Sequence, residues 1–237
     1  MSAAHARKKP FLRLATAAVA MVAALGMAAC SGGAGSASSS SGAQVGDRTP
    51  EQIQEAGEIV IGIFSDKAPF GYIDADGKPA GYDVVYGDRI AADLGVTAKY
   101  VPVDAAARTE VLASNKVDIT LANFTVTPER AEKVDFANPY FKVSLGVVSP
   151  TSAEITDVSQ LAGKTLIVTK GTTAEAYFEA NHPEVKLQKY DQYSDAYQAL
   201  EDGRGDAFST DNTEVIAWAI AHPGFSVNCL PFLGHRN

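Results

Sequence analysis

The sequence predicts an α/β protein built as two lobes. From Glu58 onward, short runs rich in β-branched residues alternate with stretches of helical periodicity, which is typical of α/β folds. The chain beyond Glu58 is long enough for two lobes of roughly 90 residues each. In the first series we predict strands at Ile59–Phe64, Ala98–Val103 and Ile119–Ala122, and helices at Tyr82–Leu94 and Ala107–Ser114.

A second series of the same kind begins after Tyr140. Its predicted strands are Val143–Ser149, Thr165–Thr169, Lys186–Lys189 and Asp206–Ser209. Its predicted helices are Val158–Leu161, Ala174–Ala180, Ser194–Leu200 and Asn212–Ala221. We therefore expect the two lobes to be joined near Lys142–Val148.

The first 29 residues have the composition of an export signal. Four basic residues lie between Arg7 and Arg13, and the alanine-rich run Leu14–Ala29 is too short for a comfortable membrane span. Cys30 follows directly. This arrangement resembles a lipoprotein signal peptide at 1–29 with lipidation at Cys30. The alternative is ordinary secretory cleavage near Ala29 with an incidental cysteine.

The net charge excludes some partners. The formal charge is −8, and removal of the first 29 residues takes away four positive charges and no negative ones. A chain this acidic does not bind nucleic acid or anionic lipid by bulk electrostatics. We therefore expect no nucleic-acid partner, and any bound anion has to be held by local cations.

The segment from Ser31 to Gly46 is rich in Ser, Gly and Ala and almost uncharged. This composition favours a flexible tether, or a disordered segment without a role. We place the lipidated cysteine and tether at 30–57, lobe 1 at 58–142 and lobe 2 at 143–227.

The stretch Asp118–Tyr140 contains a helix start beside a predicted strand end. Thr127 suits an N-cap, and Pro128 suits the first helical position, where its missing N–H costs nothing. A strand end that feeds a helix N-terminus presents free N–H groups to an anion, and Arg130 adds a planar fork for a carboxylate. Spacing alone favours the alternative of a capped surface helix with an exposed arginine.

No pattern in the sequence indicates a metal site or covalent catalysis. The four histidines have no metal-ligand spacing, the two cysteines Cys30 and Cys229 form no CxxC, and GxSxG and Walker A motifs are absent. Asp74–Gly77 superficially suggests a calcium loop, but the further ligands are missing, so we predict a turn between two short strands. We expect no metal and no cofactor.

The segment NFTVTPERAEKVDFANPY, Asn123–Tyr140, closely resembles the amino-acid-binding family of ABC-importer substrate-binding proteins, solute-binding protein family 3. The resemblance runs from about Glu58 to Phe225, through FSDKAPFGYIDADGKPAGYD, GKTLIVTKGTTAEAYF and ALEDGRGDAFSTDNTEVIAWA. It is closest to the cysteine-binding branch and more distant from glutamate/aspartate binders. It implies the periplasmic-binding-protein type 2 fold, in which two lobes close on a ligand in the cleft.

The resemblance also implies a set of ligand-binding residues. Arg130 corresponds to the arginine that takes the ligand α-carboxylate, helped by Thr125 from lobe 1 and Thr173 from lobe 2. Asn123 offers its main-chain carbonyl to the α-ammonium, and Asp211 corresponds to the carboxylate that pairs with it. The alternative for Asp211 is an N-cap of the following helix.

Side-chain selectivity depends on a further set of positions. Arg108 matches a family arginine that reaches the side-chain carboxylate in acidic-amino-acid binders; its alternative is a surface helix position. A pocket-walling aromatic of basic-amino-acid and glutamine binders would fall at Ala105, which argues against those ligands. Phe70 and Tyr72 are candidates to cover the apolar stem of the ligand, with core packing as the alternative, and Lys67 would add positive potential.

After Phe225 the sequence reads SVNCLPFLGHRN and no longer resembles the family. Family members continue with elements that complete lobe 2 and cross back to lobe 1. We therefore expect a C-terminally truncated fold, with an incomplete lobe 2 and an aberrant tail at 228–237.

The function that the resemblance implies is capture of a polar L-amino acid, cysteine first and glutamate or aspartate next. The protein is expected to be a monomeric lipoprotein, anchored on the periplasmic side or outer face of the cell membrane, that delivers its ligand to an ABC permease and its ATPase. The alternatives are an enzyme on the same scaffold, similar to cyclohexadienyl or arogenate dehydratases, and a receptor without transport. Glu110, Glu129 and Glu175 show no pattern of a general acid, so we predict that the protein is not an enzyme.

Overall fold

The computed structural model describes residues 44–229, which form an α/β chain of two lobes. The strands are β1 (Glu58–Ile63), β2 (Asp66–Lys67), β3 (Gly71–Ile73), β4 (Pro79–Ala80), β5 (Thr97–Pro102), β6 (Ile119–Thr120), β7 (Leu145–Pro150), β8 (Thr165–Thr169), β9 (Lys186–Tyr190), β10 (Ala207–Asp211) and β11 (Phe225–Cys229). The helices are α1 (Pro50–Ala56), α2 (Tyr82–Leu94), α3 (Arg108–Ala113), α4 (Pro128–Ala131), α5 (Thr173–Asn181), α6 (Tyr193–Glu201) and α7 (Asn212–Ala221), with two 3₁₀ helices at Thr151–Ala153 and Val158–Leu161.

Lobe 1 is organised around a parallel sheet of order β5-β1-β6. The central strand β1 is buried along nearly its whole length, as expected for a strand covered on both faces. Ile59, Ile61 and Ile63 pack with Ala91 of α2 in one hydrophobic cluster. A second, antiparallel sheet of β2, β3 and β4 lies between β1 and α2 in the chain.

Lobe 2 is organised around a five-stranded sheet of order β11-β7-β10-β8-β9. Strands β8, β9 and β10 are parallel, whereas β7 runs antiparallel to both β10 and β11. The carboxyl ends of β1, β5 and β6 in lobe 1 and of β8, β9 and β10 in lobe 2 all lead to the cleft between the lobes. Ligand sites of open α/β sheets form at such strand ends.

The structure confirms the predicted α/β class and most of the predicted elements. Tyr82–Leu94 and Asn212–Ala221 are helices with the predicted bounds, and Thr165–Thr169 is the predicted strand. Thr127 caps α4 by accepting from the Arg130 N–H, with Pro128 at the first helical position. The predicted turn at Asp74–Gly77 joins β3 to β4, where Asp74 Oδ1 accepts from the N–H of Asp76 and of Lys78.

The structure differs from the sequence prediction at both ends of the folded part. Helix α1 lies inside the range 30–57 that we predicted as a tether, because Thr49 and Gln52 form a capping box and Pro50 starts the helix. Strand β11 extends to Cys229, so the first two residues of the predicted tail pair with β7. The predicted signal peptide 1–29, the lipidation site Cys30 and the rest of the tail lie outside the described residues.

Asp118 fastens the segment that precedes α1 to the sheet of lobe 1. Its carboxylate accepts from the N–H of Gly46 at 3.0 Å, from the N–H of Val60 at 2.7 Å and from both ends of the Arg48 guanidinium. Burial alone would raise the pKa of Asp118, but the hydrogen bonds from Arg48 and the two N–H groups outweigh it and lower that pKa. This carboxylate therefore stays ionised in the folded state.

Replacement of Asp118 by Ala should lower the free energy of unfolding by about 1–3 kcal/mol, because it leaves the partly buried Arg48 guanidinium and two backbone N–H groups without their acceptor. Denaturant unfolding measures this change. The matched control is Asp93→Ala, which breaks the exposed Arg89–Asp93 pair and should cost at most about 1 kcal/mol. Equal losses in the two variants would contradict the anchoring role.

The same contact predicts a pH dependence. Because the pKa of Asp118 in the folded state lies below its unfolded value of about 3.9, its stabilisation is present above that value. It is lost as the pH falls through the folded-state pKa. The difference in stability between wild type and Asp118→Ala should therefore shrink in acid.

Candidate functional site

The cleft between the lobes is lined by polar side chains from both of them. Its free space is about 200 Å³ when the open solvent at its mouth is included. The lining residues are Lys67, Arg108, Asn123, Thr125 and Arg130 of lobe 1 and Thr172, Thr173, Tyr193, Thr210 and Asp211 of lobe 2. Six of the eight predicted ligand-binding residues are among them, and the two that are not are Phe70 and Tyr72.

Arg130 projects from the first turn of α4 toward lobe 2. Its Nη1 donates to the Thr125 carbonyl at 2.7 Å, and its Nη2 donates to the Gly171 carbonyl across the cleft at 2.9 Å. Burial and the charge of nearby Arg108 lower the pKa of Arg130 to about 10, so it is still a cation at neutral pH. Two of its five N–H groups are engaged by these contacts, which leaves donors for an anion.

Arg108 is almost fully buried at the start of α3, and its donors are directed to backbone carbonyls. Nε donates to Ala105 at 2.8 Å, Nη1 donates to Ala122 and Asn123 at 3.0 Å each, and Nη2 donates to Gly171 at 3.0 Å. Its burial is inconsistent with the alternative of a surface helix position. Four of five donors are used within the protein, so this arginine holds cleft loops in place.

Phe124 supports both guanidinium groups. The central carbon of Arg108 and that of Arg130 each lie 4.6 Å from the centroid of its ring. A cation over an aromatic face is attracted by the ring quadrupole, more strongly where water is excluded. The two like charges are thereby held close together, and their combined potential favours a carboxylate between the lobes.

Gly171 forms the point where lobe 2 approaches lobe 1. Its backbone has φ +73°, and a Cβ at this position would lie 2.5 Å from Ala106 Cα. It is followed by helix α5, whose N-cap Thr172 accepts from the Glu175 N–H and donates to the Thr169 carbonyl. Thr173 is the first residue of α5 and lines the cleft, where helix N-terminal N–H groups favour negative charge.

Asp211 and Asn123 face each other across the cleft. Asn123 has a positive φ of 44°, and its Nδ2 donates to Asp211 Oδ2 at 3.2 Å. The carbonyl of Asn123 accepts from Arg108 and from the Thr125 N–H. Asp211 occupies the N-cap position of α7, but its side chain makes no capping hydrogen bond. The Asp211 side chain therefore lines the cleft and does not cap α7.

Sequence reasoning noted Lys67 only in passing and missed Thr172, Tyr193 and Thr210 of the cleft lining, together with Glu214, which contacts Lys67. Lys67 Nζ lies 3.0 Å from Tyr193 Oη, 3.1 Å from Glu214 Oε2 and 3.5 Å from Asp211 Oδ2. The only signal for Lys67 was its place just ahead of Phe70 and Tyr72 in a segment that resembles the family. Nothing local marked Tyr193 or Glu214, because their role depends on contact with the other lobe.

Phe70 and Tyr72 lie elsewhere. Phe70 is buried in an aromatic cluster with Tyr82 and Phe141. This is the core packing that we gave as the alternative to a contact with the ligand. Tyr72 is half-buried on β3. The chain turns at 67–70, where the Phe70 N–H donates to the Lys67 carbonyl, and this turn brings Lys67 instead of the aromatic residues to the cleft.

The arrangement of charges complements a zwitterion. Arg108 and Arg130 concentrate positive charge around the Gly171 carbonyl, and Asp211 provides a carboxylate from lobe 2 in the same cleft. A zwitterion bound away from water requires an opposite charge and hydrogen bonds at both its carboxylate and its ammonium end. Within residues 44–229, no group of three His, Cys, Asp or Glu side chains is placed to hold a metal ion.

Comparison with known proteins places this geometry in a family. A family profile described as bacterial extracellular solute-binding proteins, family 3, matches residues 59–220. Among curated relatives, a glutamine-binding protein of Geobacillus stearothermophilus is 27% identical over 219 residues, covering 88% of this chain and 84% of the relative. The L-cystine-binding protein TcyJ of Escherichia coli is 30% identical, covering 68% of this chain and 61% of that protein.

Solved structures give a closer match. The solute receptor for L-cysteine of Neisseria gonorrhoeae is 53% identical with a TM-score of 0.76, covering 79% of this chain and 77% of that one. The cysteine-binding protein of Campylobacter jejuni is 50% identical with a TM-score of 0.75, covering 78% and 76%. These findings confirm the predicted resemblance.

In the described part of the chain, no helix has the length and apolar character needed to cross a membrane.

The approach of Gly171 to Ala106 predicts that Gly171→Ala keeps the lobes apart. Small-angle X-ray scattering should give this variant a larger radius of gyration than wild type. The matched control is Gly203→Ala, where φ is also positive but a Cβ meets no neighbour within 4 Å. Both variants carry a similar backbone strain of about 1–2 kcal/mol, so equal radii would contradict the proposed close approach.

Proposed function

Because the chain belongs to the bacterial extracellular solute-binding proteins of family 3, we propose that it captures L-cysteine in the cleft for uptake by an ABC importer. The observation that carries this proposal is the facing pair of charges, Arg130 in lobe 1 and Asp211 in lobe 2, in one polar cleft. The identity of 50–53% to two proteins described as cysteine-binding supports cysteine as the ligand.

The α-carboxylate of the ligand is assigned to Arg130. Its unused N–H groups face the cleft beside Thr125, and Thr173 adds a hydroxyl and a helix N-terminus from lobe 2. A carboxylate there would neutralise part of the charge that Arg108 and Arg130 concentrate at Gly171. Charge-assisted hydrogen bonds of this kind are about twice as strong as neutral ones.

The α-ammonium is assigned to Asp211. Asn123 and Lys67 both lie against Oδ2 of this carboxylate, and no described residue donates a hydrogen bond to Oδ1. Oδ1 is therefore the natural acceptor for the ligand. The resemblance also assigns the Asn123 carbonyl to this ammonium group, but that carbonyl already accepts from Arg108 and from the Thr125 N–H, so a ligand contact would have to replace or share one of these bonds.

The contacts of Arg108 favour cysteine over glutamate or aspartate. A side-chain carboxylate would need free donors on Arg108, and four backbone carbonyls already engage four of its five N–H groups. Removing those bonds would leave the carbonyls of Ala105 and Ala122 unpaired, which costs about 1–3 kcal/mol for each group, whereas Asn123 and Gly171 would keep a second donor. The small, polar side chain of cysteine needs no free donor on Arg108, so these hydrogen bonds stay in place.

Transport follows from closure of the lobes. The ligand touches residues of both lobes, so it stabilises the closed form by its differential affinity for that form. We propose that the closed form is presented to a membrane permease with its ATPase, and that lipidation of Cys30 holds the monomeric protein at the outer face of the membrane.

A thermal-shift panel of the common L-amino acids tests the ligand. With free ligand at 100 times Kd, L-cysteine kept reduced should stabilise the protein by about 2.7 kcal/mol, which corresponds to a rise in Tm of roughly 5–10 °C. Glutamate and aspartate should give much smaller shifts. A cooperative transition that no amino acid moves would contradict the proposal.

Variants of the two charged ligand contacts test their roles. Arg130→Met and Asp211→Asn should each weaken cysteine binding by about 2–5 kcal/mol, because each leaves one end of the zwitterion unpaired in the cleft. Isothermal titration calorimetry measures the affinities. Arg89→Met is the control, since Arg89 is exposed on α2 and pairs only with Asp93 among the described residues. Wild-type affinity in Arg130→Met would refute the assignment.

A further inference from the structure

Lys67 belongs to lobe 1, but its polar side-chain partners belong to lobe 2. It lies on β2, and its ammonium group contacts Tyr193 at the start of α6, Asp211 at the end of β10 and Glu214 in α7. The ammonium also lies 4.3 Å from the centroid of the Tyr193 ring. A single side chain therefore ties one lobe to three elements of the other.

This contact is buried to an unusual degree for charged groups. Lys67 is 1% exposed and Glu214 is 0% exposed. Burial alone would lower the pKa of Lys67, but Glu214, Tyr193 and Asp211 outweigh it and raise that pKa. Lys67 therefore stays charged, and it supplies the cation that two buried carboxylates require.

Glu214 has further partners inside lobe 2. Thr210 Oγ1 donates to Glu214 Oε2, and Tyr197 Oη donates to Glu214 Oε1, both at 3.1 Å. The titratable groups that face it are Lys67 from β2, Asp211 from β10, and Tyr193 and Tyr197 from α6. Lys67 is the only cation in that set, and it is the only member of the set that comes from lobe 1.

We propose that Lys67 is a positioning residue that orients Asp211 for the ligand and couples closure of the lobes to the ionisation of Glu214. This inference rests on the proposed function, since it concerns the same cleft. Lys67 and Asn123 hold Oδ2 of Asp211 and leave Oδ1 to the ligand. When the lobes part, Lys67 withdraws and Glu214 keeps only neutral donors and the negative Asp211.

The coupling has a definite sign. Burial raises the pKa of Glu214 to about 7 even though Lys67 opposes that shift. Withdrawal of Lys67 raises this pKa further, provided that Thr210 and Tyr197 of lobe 2 keep Glu214 buried in the open form. Closure then converts the Glu214 carboxylic acid to a carboxylate and releases the proton to solvent. Ligand binding should release protons near pH 7.5, and affinity should rise with pH above about 7.

Calorimetry in buffers of different ionisation enthalpy measures this proton release directly. Wild type should release protons on binding L-cysteine at pH 7.5, whereas Glu214→Gln should bind with only the release that the ligand itself contributes. Lys67→Met should weaken binding by about tenfold or more, and by a similar factor for L-cysteine and L-serine. The matched control is Lys164→Met, which removes an exposed lysine of lobe 2 that pairs with Asp206.

The double variant Lys67→Met/Glu214→Gln covers the case in which Lys67→Met does not fold. It removes both charges of the pair and should fold, bind weakly and show no excess proton release. Equal proton release in wild type and Glu214→Gln would overturn the inference. So would affinity within twofold of wild type in Lys67→Met or in the double variant.

A measurement without ligand separates this inference from the proposed function. Acylation of lysines by an activated ester, read by mass spectrometry, should modify Lys67 more slowly than Lys164 in wild type and markedly faster in Glu214→Gln. If no amino acid binds wild type, the proposed function is wrong, but faster labelling in Glu214→Gln still supports the interlobe tie. Equal Lys67 labelling in wild type and Glu214→Gln would overturn it.

Discussion

The structure depends on one interaction, in which two guanidinium groups of lobe 1 donate to the carbonyl oxygen of Gly171 in lobe 2. The contact requires a residue without a side chain, because a Cβ on Gly171 would meet the backbone of Ala106. It also places two like charges side by side in a partly dry cleft. Such an arrangement is stable only with compensation, which Phe124 supplies in part and an anionic group of a ligand would complete.

The two arginines have different roles despite their common acceptor. Arg108 donates to backbone carbonyls of the loops that form the cleft, so it fixes the shape of the site. Arg130 is less buried and keeps donors for a ligand. Lys67 resembles Arg108 in that it holds other groups of the protein in position, in this case side chains of lobe 2. In the proposed function, Arg130 binds the ligand whereas Lys67 acts in closure, and both cations lie in one cleft.

Local signals in the sequence predicted much of the fold. Thr127 and Pro128 marked the start of α4, and the periodicity of Tyr82–Leu94 gave α2 its full length. The capping box of Thr49 and Gln52 was a local signal for α1 as well, but our prediction did not use it and assigned the whole of 30–57 to the tether. The contact of Lys67 with Tyr193 spans 126 residues and has no local signature, so only the folded chain reveals it.

A crystal structure of the complex with L-cysteine tests the central claim most directly. The account predicts the α-carboxylate within hydrogen-bonding distance of Arg130 and Thr173 and the α-ammonium at Oδ1 of Asp211. It also predicts that Arg108 keeps its bonds to the four backbone carbonyls when the ligand is bound. A ligand carboxylate held by Arg108, or an α-ammonium distant from Asp211, would contradict the account.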